Sequence, residues 1–112
     1  MVSRAYAKYI RISPTKIRLL IPLIKGRSVK QALQVLRNIN KRAKFPLEKV
    51  LKSAVANAKQ KGYEEHGLWI KNVVANPGPM LRRYRAASFG RAVMIRRRTS
   101  HILVELDVKR AG

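Results

Sequence analysis

Acidic side chains are scarce in this sequence. Five of 112 residues are Asp or Glu, against 26 Lys or Arg, a formal net charge of +21. The acids are Glu48, Glu64, Glu65, Glu105 and Asp107, so that residues 1–47 and 66–104 contain none. Cations without nearby acids repel one another, which works against a compact state and calls for a polyanionic partner. Nucleic acid supplies negative charge most densely, and neutralising its phosphates releases counterions. Cysteine is absent, which excludes disulfides and thiolate metal sites and fits a reducing compartment. No apolar run approaches the ~20 residues needed to span a bilayer, and no signal-peptide core opens the chain. The expectation is a soluble, cytoplasmic protein without a membrane partner.

Catalytic residue types are equally thin. The histidines are His66 and His101, no Gly-x-x-x-x-Gly-Lys phosphate loop occurs, and no nucleophile–base pair is suggested. The sequence therefore points to no enzyme, no cofactor and no small-molecule substrate. His101 falls on a strand edge beside the most basic segment and reads as a structural or RNA-contacting histidine. His66, in Glu64-Glu65-His66-Gly67, would ligate a metal only weakly, and no metal site is assigned.

What is present is a core. Hydrophobic residues make up 46% of the chain, too many for a disordered basic tail. A chain of this length is expected to form a single domain over residues 1–112, burying roughly two thirds of its unfolded surface. Residues 4–12 read as a strand with Tyr6, Lys8, Ile10 and Ile12 on one side. Ser13-Pro14 supplies an N-cap and a first-turn proline for a helix running to Lys25 and stopping at Gly26. Ser28-x-x-Gln31 is a capping-box pattern for a second helix with Val29, Ala32, Leu33 and Leu36 in one stripe. A third helix reaches Lys61 with Leu47, Val50, Leu51, Ala54, Val55 and Ala58 aligned. Its small residues Ala54 and Ala58 predict a close neighbour, with a helix preferred over RNA backbone. Strand character returns at Leu68–Ala75 and again up to Val108, where Ile102, Val104, Leu106 and Val108 alternate with His101, Glu105, Asp107 and Lys109. The sum is an α+β fold, three helices on a small antiparallel sheet of about three strands.

Between the last two strands the pattern changes. Residues 76–100 carry Arg82, Arg83, Arg85, Arg91, Arg96, Arg97 and Arg98, with Tyr84 and Phe89 interleaved, and no acid. Guanidinium groups fork onto phosphates and aromatic faces receive unpaired bases. Flanked by strands that should pair, the segment reads as a long protruding β-hairpin, a basic arm reaching roughly 40 Å at ~3.3 Å per residue. A DNA-architectural protein shares the charge, but the third helix lacks the flanking turn and recognition helix of a helix-turn-helix unit, and the aromatic-Arg arm suits irregular RNA better. A membrane-active basic peptide is disfavoured by the sheet strands and the continuous core stripe.

Several short motifs, in order along the chain, resemble one family. They are Ile12-Ser13-Pro14-x-Lys16-x-Arg18, Ser53-Ala54-Val55-Ala56-Asn57-Ala58, Gly78-Pro79, Gly90-Arg91-Ala92 and Arg98-Thr99-Ser100-His101-Ile102. Together, over about Arg4 to Val108, the chain resembles the universal large-subunit ribosomal protein numbered twenty-two in the bacterial series. It departs from similar bacterial proteins at the arm tip, where a Pro-Arg-Ala sequence is replaced by Ala86, Ala87 and Ser88 before Phe89. The resemblance implies a constituent of the large ribosomal subunit, located in cytoplasmic ribosomes, that binds large-subunit ribosomal RNA and aids assembly. It also implies neighbouring ribosomal proteins as partners, and an arm tip that meets the nascent peptide in the exit tunnel. RNA contacts are assigned to Arg4, Lys8, Arg11, Ser13, Lys16, Arg18 and Lys25 in the body. In the arm and its root they are assigned to Arg82, Arg83, Arg85, Arg91, Arg96, Arg97, Arg98, Thr99, Ser100 and His101. The tunnel-lining tip is assigned to Tyr84, Arg85, Ala86, Ala87, Ser88, Phe89, Gly90 and Arg91.

Overall fold

Alternating apolar residues make Ser100–Val108 the strand most suited to burial, and it is the central strand of the sheet. The computed structural model of the chain describes residues 2–78, 81–86 and 92–108. In chain order the elements are β1 (Ser3–Ile10), α1 (Pro14–Arg18), α2 (Ile21–Ile24), α3 (Val29–Asn38), α4 (Lys44–Gln60), a 3-10 turn (Glu65–Gly67), β2 (Leu68–Pro77), β3 (Leu81–Ala86), β4 (Ala92–Arg97) and β5 (Ser100–Val108). β5 lies between β1 and β2 and is antiparallel to both, while β3 and β4 form a separate antiparallel pair. The expected α+β architecture with a hairpin leaving the sheet is therefore the observed one.

The helices cover one face of the sheet. Ala5, Ile102, Val104 and Leu106 meet Ile17, Leu36, Leu47 and Leu51 in one buried cluster. Each predicted stripe turns inward: Val29, Ala32 and Leu36 on α3, and all six stripe residues of α4, are buried. Ser13 caps α1, its Oγ accepting from the Lys16 amide, and Ser28 caps α3 through the Gln31 amide. Gly26 takes a left-handed φ of 81°, which ends the second short helix. It also lets its amide donate to the Ile70 carbonyl at 2.9 Å.

The structure departs from the expected elements in three places, each with a physical cause. The first expected helix is broken into α1 and α2. Pro22 has no amide to donate and its ring would strike the Arg18 carbonyl, so the chain restarts at Ile21. The residues expected on one side of β1 do not share it, because the register slips between Ala7 and Ile10. Lys8 and Tyr9 both face His101 across this bulge, so Tyr6 and Lys8 are exposed while Ile10 and Ile12 pack against the core. A second slip, at Lys71, switches the inward phase of β2 from Leu68 and Ile70 to Val73 and Ala75.

The last difference concerns Ala54. The close neighbour there is strand β1 and not a helix, with Ser3 Oγ donating to the Ala54 carbonyl at 2.9 Å inside the core. One turn along, Asn57 Nδ2 donates to the Arg4 carbonyl and Lys61 Nζ to the Val2 carbonyl, each at 2.9 Å. A larger residue at 54 would push the helix off the strand.

Candidate nucleic-acid interface

The arm begins where the main sheet stops. Pro77 pairs with Ser100, and the Gly78 amide still donates to the Thr99 carbonyl at 2.9 Å. Pairing resumes at Leu81 and Arg97 and continues to Ala86 and Ala92. Pro77–Ser100 and Leu81–Arg97 thus mark the two sides of the arm root. Six residues per strand span about 20 Å. The register sets Arg82 across from Arg96. Like charges directly opposite are unfavourable in an isolated ladder, and β3 and β4 contain no acid to relieve them.

The root is built from side chains that the sequence reading assigned to RNA. Thr99 and Ser100 are 1% and 0% exposed, so their hydroxyls have no surface to offer a ligand. Ser100 Oγ donates instead to the Ile12 carbonyl, which ties β5 to the chain entering α1. The His101 ring accepts the Tyr9 amide on Nδ1 at 3.2 Å and meets the Tyr9 ring edge to face at 5.0 Å. These three residues hold the arm's base, a role the sequence reading did not separate from RNA contact. Tyr9 was missed altogether: its left-handed φ of 59° follows from the bulge, which leaves no mark in the sequence.

Of the assigned body cations, Arg4, Lys8, Arg11, Lys16, Arg18 and Lys25 are exposed. Ser13 has its hydroxyl engaged as the α1 cap. Arg18 reaches back to β2, its Nε donating to the Ala75 carbonyl at 3.0 Å. Arg18 also lines a cleft of about 310 Å³ together with Arg98, Thr99 and Gly78. Arg18 and Arg98 thus come together at the arm root, although 80 positions separate them. Lys25 lies at the other end of β2, beside the turn that pairs with Ile70. Arg82, Arg83, Tyr84, Arg85 and Ala86 lie on β3, and Arg96 and Arg97 on β4. The tip assigned to Ala87, Ser88, Phe89, Gly90 and Arg91 lies outside the described residues, as does Lys109.

The few acids do not neutralise these cations. The ion pairs among the described residues join Lys59 to Glu65 at 3.6 Å and His66 to Glu64 at 3.1 Å, neither involving an assigned cation. The Val108 amide, donating to Asp107 at 2.8 Å, holds that carboxyl below its usual range. No group of three or more metal-ligating side chains occurs among the described residues, and no helix there is long and apolar enough to cross a membrane. The assigned body cations are thus exposed and take part in neither ion pair, and they form a basic surface.

Comparison with known proteins gives this surface a context. The model of the family described as ribosomal protein L22p/L17e matches residues 5–107. The chain belongs to the ribosomal protein L22p/L17e family. Among its relatives is the large ribosomal subunit protein uL22 of Sulfurihydrogenibium sp. (strain YO3AOP1), 48% identical over 107 residues, covering 96% of this chain and 92% of that one. The protein of the same name from Halothermothrix orenii is 42% identical over 113 residues, spanning the whole of both chains. That from Aquifex pyrophilus is 46% identical over 108 residues, 96% of this chain and 81% of the relative. The family expected from the short motifs is the family found, in its bacterial type. Within the L22p/L17e match lie the two ends of the root, Tyr9 and His101, and both strands of the arm.

Proposed function

We propose that this chain is a structural constituent of the large ribosomal subunit that binds large-subunit ribosomal RNA, aids its assembly and lines the nascent-peptide exit tunnel with its arm. The observation that carries the reading is the β3–β4 ladder: it stands apart from the three-stranded sheet, sets Arg82 opposite Arg96 and contains no acid. Such a ladder needs polyanion around it, and phosphates supply that by counterion release. The family membership and the printed names of the relatives support the ribosomal setting.

In this reading the chain is one domain with residues 76–100 as its arm. The exposed cations Arg4, Lys8, Arg11, Lys16, Arg18 and Lys25, with Arg98 at the root, hold phosphates. Arg82, Arg83, Arg85, Arg91, Arg96 and Arg97 follow the RNA along the arm, and Tyr84 to Arg91 face the nascent peptide. Ser13, Thr99, Ser100 and His101 act by setting the geometry from which those cations reach out. Neighbouring large-subunit proteins complete the surroundings; no membrane, cofactor, metal or substrate takes part, and no reaction is catalysed.

Competition tests the RNA part. The chain bound to a folded fragment of large-subunit RNA should resist displacement by duplex DNA at matched ionic strength. Equal displacement by duplex DNA would favour an architectural DNA binder.

A further inference from the structure

A second aromatic and basic feature lies away from the arm. Between β1 and the start of α4 is a cleft of about 430 Å³ with Ala7, Ile10 and Val50 in its lining. Its rim carries Tyr6 and Phe45, which are 56% and 61% exposed although the core contains neither. Each ring has a cation over one face, which leaves the opposite face to a ligand: Arg4 Cζ lies 5.8 Å from the Tyr6 centroid and Lys44 Nζ 5.2 Å from that of Phe45. Lys8 and Lys49 complete the rim, and no acid lines the cleft. The first turn of α4 has neither an acid nor a side-chain cap.

We propose that this cleft binds an unpaired nucleotide, its base stacked on the exposed aromatic rim and its flanking phosphates held by Lys8, Lys44 and Lys49. The inference rests on the RNA-binding reading and deepens it, since none of Tyr6, Phe45, Lys44 and Lys49 belongs to the surface described above. An apolar lining with two exposed rings and cations around them selects a ligand that has a flat face and a negative charge within a few ångströms of each other. A nucleotide in a single strand, loop or bulge offers both, whereas in a paired A-form helix the base faces are covered by their neighbours. An acidic peptide offers the charge without the flat face. Stacking is tolerant of base identity because every base has a π-face, so the cleft should select unpaired structure over sequence.

The test uses the full chain with a fluorescent single-stranded oligouridylate and an abasic strand of the same length, at matched salt. Phe45→Ala should weaken oligouridylate binding about tenfold and leave the abasic strand unchanged. Phe45→Leu keeps apolar volume without the flat face and should lose as much. Phe45 is exposed, so a thermal melt should be the same for all three proteins. Equal effects of Phe45→Ala on both strands, or no effect on either, would overturn the proposal. So would an oligoglutamate that binds with the same dependence on Phe45. If large-subunit RNA is still bound in a salt-sensitive way while oligouridylate ignores Phe45, the cleft proposal alone fails. If the wild-type chain binds neither RNA, both readings fail.

Discussion

The amide of Tyr9 donates to Nδ1 of His101 at 3.2 Å, across a bulge that puts Tyr9 in the left-handed region at φ 59°. A tyrosine pays for that backbone conformation, and the hydrogen bond and edge-to-face contact with His101 offset the strain. On its other edge the His101 ring faces Gly78, where an added Cβ would lie 3.1 Å from Cε1 and 3.3 Å from Nε2. One imidazole therefore lies between the first strand of the body and the exit point of the arm.

Gly78→Ala should upset that arrangement. The new Cβ would sit 2.5 Å from Thr99 Oγ1, and Thr99 is 1% exposed and β-branched, so it has no free direction in which to yield. The expected cost is about 1–3 kcal/mol, read from urea denaturation. A change below about 0.5 kcal/mol, the range of surface substitutions, would show that the root repacks freely.

The contact between β1 and α4 gives a sharper prediction. Ser3→Ala should cost about 1 kcal/mol, because the Ala54 carbonyl is left without that buried donor. Ala54→Leu should cost about 1–3 kcal/mol through overpacking against the strand. Urea midpoints measure both, and an Ala54→Leu protein as stable as wild type would mean that the strand is not held where it is described.

Much of this body was legible in the sequence, because burial leaves a periodic trace. The alternation of Ile102, Val104 and Leu106 marked the central strand, the six-residue stripe of α4 marked its buried face, and Ser13, Ser28 and Gly26 marked helix ends. What periodicity does not carry is the identity of the partner across a face, so Ala54 was matched to a helix instead of β1. Nor does it carry register slips: the bulges at Lys8–Tyr9 and Lys71 come from pairing with β5, not from local preference. The site was legible as charge, yet the charge pattern did not separate Arg98, which is exposed, from Thr99 and Ser100, which are buried.

Binding to large-subunit RNA should weaken steeply with salt, since log K falls with log[salt] in proportion to the phosphates neutralised. Arg98→Ala should lower the slope by about 1, measured by filter binding across a salt series. A slope unchanged by that substitution would remove Arg98 from the phosphate-binding set.

Deleting residues 84–91 and closing β3 onto β4 with a short turn should leave most of the RNA affinity in place, because phosphate contacts from many separate cations add up. Nascent-chain stalling should change. Lost incorporation with normal stalling in the residual subunits would make the arm an assembly anchor.

As an integral part of the large subunit held by RNA, this chain should withstand co-sedimentation through a high-salt wash. It should stay with purified large subunits in stoichiometric amount and be absent from small ones. Release into the supernatant, or equal recovery with both subunits, would contradict that role.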